Sequence, residues 1–136
     1  MATAHYSRAV STAVVTAINN AINGGAGDGT IKFYNAPMPA TTATGITTQT
    51  LLGTCACADP AGVEAGGTLT FSAIDNDVSA DATGTAAWVR IADSAGTVVM
   101  DLDVTVTGGG GYVQMASTSI TAGGPIAFSS FTITMP

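Results

Sequence analysis

Thr97-Val98-Val99-Met100-Asp101-Leu102-Asp103-Val104-Thr105-Val106-Thr107 sets Val98, Met100, Leu102, Val104 and Val106 in one phase and Asp101, Asp103, Thr105 and Thr107 in the other. Successive side chains of a strand point to opposite faces, so this period of two predicts a strand with one side in a core and the other wet or docked. Just ahead of it, Asp93-Ser94-Ala95-Gly96 reads as a short hairpin connection, with Gly96 suited to its left-handed position. Beyond that turn, residues 85–93 alternate too, Ala87, Val89 and Ile91 against Trp88 and Arg90. Two alternating runs joined by a tight turn make an antiparallel hairpin, and that decides the class.

The same period extends both ways from the hairpin. Ile31 and Phe33 open a first strand, Pro37 and Pro39 break it, and the Thr-rich residues 41–48 read as an extended surface connection. Strands are expected at 49–58 and 67–74, the latter alternating Leu69, Phe71 and Ala73 with Thr68, Thr70 and Ser72. The glycines at 108–111 read as a flexible loop, residues 112–120 as one bent strand or two short ones, and Gly123-Gly124-Pro125 as a turn into the last strand. There Ile126 and Phe128 share one phase and Phe131, Ile133 and Met135 the opposite one, so a bulge or bend is expected at Ser129-Ser130. About eight strands without a fixed-period repeat predict an all-β chain, a two-sheet β-sandwich.

Helical period appears at residues 7–23. Val10, Val14, Ile18 and Ile22 recur every fourth position beside Ala17 and Ala21, while Ser11, Thr12, Thr16, Asn19 and Asn23 fall opposite. Ser7 is the expected N-cap and Gly24-Gly25 the stop. This short N-terminal amphipathic helix is expected to lie across an open end of the sandwich or against another subunit. The 136 residues read as a single domain: a mobile tail at 1–6, the helix at 7–23 and the sandwich at 30–136.

Charged residues make up 9% of the chain, against about 25% in an ordinary soluble domain. A surface of Ala, Thr, Ser and Gly loses little side-chain entropy when a partner covers it, which suits a part fitted into an assembly. Contact with a second copy is expected, through the helix face bearing Val10, Val14 and Ile18 or the strand bearing Trp88 and Arg90. For Trp88 and Arg90 two readings stand: core with a snorkelling Arg, or an interface anchor. Nine acids against three bases give a net charge of −6; so few cations cannot track phosphates, which argues against nucleic acid as a ligand. No apolar run is long enough for a membrane helix.

Candidate chemistry is sparse. Cys55 and Cys57 share one strand face, badly placed to bridge each other, and read as buried thiols in a reducing compartment. Met1 is not followed by a basic region, an apolar run and a cleavage site, so cytoplasmic synthesis is expected. The sole histidine, His5, precedes the helix, away from any orienting acid. Residues 108–111 lack the Lys-Ser or Lys-Thr of a phosphate loop. Asp75, Asp77 and Asp81 alternate like cation ligands, but an EF-hand needs Gly and Glu where Ala80 and Ala86 stand; the segment reads as a solvated loop, with cation binding at a turn as the alternative. Asp101 and Asp103 share a face without the aromatic-lined cleft of a glycosidase. No enzyme and no cofactor is expected.

Several stretches together form a pattern: the helix, Thr30-Ile31-Lys32-Phe33-Tyr34, Met38-Pro39-Ala40, Thr50-Leu51-Leu52-Gly53-Thr54 through Ala58-Asp59-Pro60-Ala61, Gly84-Thr85-Ala86-Ala87-Trp88-Val89-Arg90-Ile91-Ala92-Asp93 and Ile120-Thr121-Ala122-Gly123-Gly124-Pro125. In these the chain resembles small proteins of tailed-phage head modules, including the capsid cementing or decoration proteins of short-tailed phages. The resemblance implies a jelly-roll structural virion protein on the capsid exterior, a homodimer that binds the major capsid protein and clamps neighbouring capsomers. The alternative is a receptor- or carbohydrate-binding jelly roll of a phage fibre or tail, against which the 6% aromatic content counts.

Overall fold

A computed structural model of the chain describes residues 4–126 and 131–135. Among them α1 (Arg8–Ile22) precedes ten strands: β1 (Thr30–Tyr34), β2 (Leu51–Ala56), β3 (Gly62–Ala65), β4 (Thr68–Phe71), β5 (Gly84–Thr85), β6 (Trp88–Ala92), β7 (Val98–Val106), β8 (Val113–Met115), β9 (Ser119–Ile120) and β10 (Thr132–Thr134). They form a five-stranded sheet in the order β2-β1-β6-β7-β8, a three-stranded sheet β10-β4-β3 and a small β5-β9 pair. One core cluster joins Val15 and Ile22 of the helix to Ile31, Phe33, Val89 and Ile91 of the larger sheet and Leu69, Phe71 and Ile133 of the smaller. The chain is thus mostly β with one N-terminal helix and a sandwich-like body. Strands exceed the expected eight because β3 carries no alternation, and because β5 and β9 are two-residue pieces split from longer expected runs. The phase slip expected at Ser129-Ser130, Phe128 with it, and tail residues 1–3 lie outside the described residues.

The central hairpin turns where its residues require. Asp93 Oδ1 accepts from the backbone N–H of Ala95 at 3.0 Å and of Thr97 at 2.8 Å, folding the chain over its own carboxylate. One strand of the hairpin is bulged: Ala92 pairs with Val98 but Ile91 with Met100, leaving Val99 extra.

At its far end β7 runs parallel to β8, Val104 beside Val113, although only residues 107–112 join them. Parallel neighbours ordinarily need a crossover of about a dozen residues or more. Glycine makes the short route passable: Gly108 and Gly110 have φ of +86° and +87°, and a Cβ on Gly109 or Gly111 would come within 2.7 or 2.8 Å of the Thr105 side chain. Amides then fasten the turn, Gly111 N–H to Thr105 Oγ1 and Tyr112 N–H to Asp103 Oδ1. Residues 108–110 are exposed, as the surface-loop reading expects, and hydrogen bonds give the connection a specified path.

The helix docks in a phase its apolar stripe does not predict. Ser7 caps it as expected, Oγ accepting from Val10 N–H at 3.2 Å. Its buried residues, however, are Ser11, Val15, Asn19 and Ile22, whereas Val10 is 47% exposed and Val14 and Ile18 are half-buried. The cause is polar. The helix packs on β3 and β4; Asn19 Nδ2 donates to Gly62 O and to Glu64 Oε1, both at 3.0 Å, Asn23 Oδ1 accepts from Ala61 N–H at 2.8 Å, and Arg8 Nη1 donates to Gly66 O at 2.8 Å. These bonds take up polar groups along the β3 edge of the smaller sheet, and rotate the helix to reach them.

Candidate functional site

A row of aromatic and charged side chains stands on one face of the larger sheet. There β6 is central: Trp88 and Arg90 lie opposite Tyr34 and Lys32 of β1 on one side, and opposite Asp103 and Asp101 of β7 on the other. The Tyr34 and Trp88 rings stack with centroids 4.7 Å apart and planes 15° apart, and the Arg90 guanidinium sits 5.4 Å from the Trp88 ring centre. Arg90 grips Asp101 with two prongs, Nε to Oδ1 at 2.7 Å and Nη2 to Oδ2 at 2.8 Å. Such paired, charge-assisted bonds are the strong ones. The hydrogen bond that Arg90 donates to Asp101 raises the pKa of Arg90, and burial raises that of Tyr34.

Loop 35–50 is strapped over this row. Its two ends meet: Thr50 N–H donates to Asn35 Oδ1 at 2.7 Å and Asn35 N–H to Thr50 O at 3.4 Å. The backbone is then pinned from below, Asn35 O by Trp88 Nε1 at 2.9 Å and Thr44 O by both Nη atoms of Arg90 at 3.3 Å. Internal bonds order the rest: Gln49 Nε2 to Pro37 O at 2.7 Å, Thr47 N–H to Gln49 Oε1 at 3.1 Å and Thr44 N–H to Thr41 O at 3.1 Å. No residue from 35 to 50 carries a charge, and the loop displays Met38 and Ile46, 45% and 38% exposed. Long surface loops whose ends meet are commonly functional. This one offers a pre-ordered, uncharged surface with two apolar points.

Trp88 is 0% and Arg90 8% exposed, which corrects the interface-anchor reading of that pair: they are core residues, and the partner covering them is the chain's own loop. Sequence reasoning did not bring Tyr34, Asn35, Thr44 or Asp101 to this place. An unbulged β6–β7 hairpin continuing from Ala92 opposite Val98 would face Arg90 with Met100; the extra residue at Val99 moves Asp101 there instead. Val10, Val14 and Ile18 stand on α1 and are not part of this cluster.

The acidic segment closes a sheet edge. Asp75 exchanges backbone hydrogen bonds with Ala56 at 2.9 and 3.3 Å, Asp77 Oδ2 accepts from Thr54 N–H at 2.9 Å, and Asp81 N–H donates to Leu52 O at 2.8 Å, all along β2. The second oxygen of Asp77 takes Ser79 N–H at 3.0 Å. Among the described residues, no three His, Cys, Asp or Glu side chains gather as a metal site. Cys55 and Cys57 are free and buried; burial foremost, with Asp28 adding to it, pushes the Cys57 thiol up to about 12. His5 is exposed. No helix among the described residues is long and apolar enough to cross a membrane. No family model matches the chain, and neither the curated proteins nor the solved structures compared with it yield a match.

Proposed function

We propose that this chain is a structural virion protein, a jelly-roll-type sandwich that binds the outer surface of a tailed-phage capsid and cements neighbouring capsomers. One observation carries the reading: the charge-free loop 35–50, held in place before any partner arrives by Trp88, Arg90 and its own side chains. Ordering a backbone residue costs about 1–2 kcal/mol, so a loop ordered in advance leaves more of its contact energy for binding. Thr, Ala and Gly side chains around Met38 and Ile46 add little further entropy loss, and many copies can pack side by side without like-charge repulsion. The resemblance to phage cementing proteins supports the same role. Its partners are the major capsid protein and a second copy of the chain. It is not an enzyme, uses no cofactor, and reaches the virion after synthesis in the bacterial cytoplasm.

Cosedimentation with expanded shells, unexpanded shells and free capsid subunits of the phage that encodes it tests the proposal. A clamp binds the expanded lattice at least tenfold more tightly than free subunits, because its moderate contacts sum only over ordered neighbours. Met38→Asp with Ile46→Asp abolishes that binding while leaving the melting temperature unchanged. Equal binding to all three forms, binding to none, or unaltered binding by the loop variant overturns the reading.

A further inference from the structure

We propose a second binding site, at the N-terminal end of α1, for a sugar that carries a carboxylate. A groove of about 540 Å³ opens there between Tyr6, Arg8 and Ser11 on one side and Thr68, Thr134 and Met135 on the other. Its size falls within the usual range of small-ligand sites, about 300–1,000 Å³, and it shares no residue with loop 35–50. Arg8 is one of only three cations in a chain of net charge −6, and its guanidinium is placed, not loose. Nη1 donates to Gly66 O at 2.8 Å, and Gly66 has φ of +60°; a Cβ there would lie 2.5 Å from Nη1. A bare glycine in the β3–β4 turn thus seats the cation at the groove.

A guanidinium has five N–H donors in a planar fork that matches a carboxylate, and the bond to Gly66 O occupies one nitrogen. Around it stand hydroxyls. The Thr68 and Thr134 Oγ1 atoms bond each other at 3.1 Å, so the pair keeps one O–H donor and spare lone pairs for a ligand. Tyr6, 48% exposed, lines the groove and adds an aromatic ring and a phenol to it. A cation, clustered hydroxyls and one aromatic ring suit a hexuronate, whose carboxylate takes the Arg8 fork while its hydroxyls exchange hydrogen bonds with the threonines. An apolar ligand would strand the guanidinium, and a bare inorganic anion would leave the hydroxyl wall and the ring unused.

Titration of the isotope-labelled full chain with glucuronate, followed by amide chemical shifts, tests this, with glucose and acetate as separate arms. Glucuronate gives saturable shifts confined to residues 6–11, 66–68 and 134–135, at least tenfold tighter than glucose or acetate. Arg8→Gln weakens glucuronate at least tenfold, its own shift changes staying within α1 and the β3–β4 turn that the Gly66 bond joins. Thr134→Val, which leaves the Gly66 tie untouched, weakens it severalfold even if the Arg8 variant fails to fold. Absence of saturable shifts, shifts centred elsewhere, acetate binding as tightly as glucuronate, or full binding by Thr134→Val overturns the proposal. Capsid binding is read separately, so either proposal can fail without the other.

Discussion

Asp101→Asn isolates what the ion pair under loop 35–50 does. Both partners are nearly buried, with side chains 10% and 7% accessible for Arg90 and Asp101, so removing the carboxylate charge strands a guanidinium that water cannot fully reach. Uncompensated buried charge of this kind costs about 3–5 kcal/mol, and for a domain of this size about 4 °C of melting temperature goes with each kcal/mol. The single variant is therefore expected to melt about 12–20 °C lower. Replacing both partners by apolar residues, Arg90→Met with Asp101→Leu, removes the charge together with its partner and is expected to melt within about 4 °C of the parent. The double variant nevertheless loses both Nη bonds to Thr44 O. Loss of about 1.5 kcal/mol of anchoring corresponds to roughly tenfold faster exchange of the loop amides. Hydrogen exchange at Thr44 and Thr47, read beside the melting curve, separates the two effects. Equal destabilisation by the single and double variants, or unchanged exchange in the double, would falsify the assignment of Arg90 as the anchor of the loop.

Gly109→Ala and Gly111→Ala are expected to destabilise by about 1–3 kcal/mol, because each new methyl meets Thr105. Gly45→Ala, with nothing within 4 Å and an ordinary φ, is expected to be neutral or stabilising by a few tenths of a kcal/mol; urea midpoints rank the three. The Cys57 thiol keeps its proton up to about 12, against an ordinary 9.0, so above pH 9 the unfolded chain releases a proton that the native state retains. Stability is therefore whole below pH 9 and falls by about 1.4 kcal/mol per pH unit as pH rises towards 12, and Cys57→Ala flattens that alkaline limb in pH-dependent denaturation. Sedimentation at micromolar concentration is expected to show a dimer or larger, and Val10→Asp, on the outward side of α1, to shift it towards monomer with the melting temperature held; a parent that stays monomeric throughout refutes self-association.

What was legible in the sequence was local. The β6–β7 hairpin follows from alternation on both sides of Asp93-Ser94-Ala95-Gly96, and the helix from Ser7, a period near four and Gly24-Gly25; each signal lies within a few residues of what it specifies. The phase of the helix was not legible, because Asn19 and Asn23 look like solvent-facing residues until β3 supplies Gly62 O and Ala61 N–H. Nor was the pairing of Arg90 with Asp101, since a single bulge at Val99 changes every partner beyond it. One available signal was overlooked: Gly66-Gly67 joins Val63-Glu64-Ala65 to Thr68-Leu69-Thr70, and both glycines take positive φ, +60° and +82°, in a two-residue hairpin. That signal would have found β3 and, with it, the turn carbonyl that seats Arg8.

The way the chain closes its sheet edges bears on how it meets other molecules. An open edge invites another strand, yet β2 is covered by residues 75–82 through Thr54, Leu52 and Ala56, and β3 is tied to α1 through Asn19, Asn23 and Arg8. The residues used for this are the acidic loop and the polar helix face, which from sequence alone read as a solvated inter-strand loop and a solvated surface. With those two edges occupied from within, strand addition there would first have to break these hydrogen bonds, among them the buried one from Asn19 to Gly62 O, and a buried group left without a partner costs about 1–3 kcal/mol. Side-chain docking by the ordered loop 35–50 and by the Val10 side of α1 carries no such cost. At these two edges the fold thus leaves side-chain docking, and not strand addition, as the way to meet another molecule, which is what the proposed clamp, adding to a lattice in register, would require.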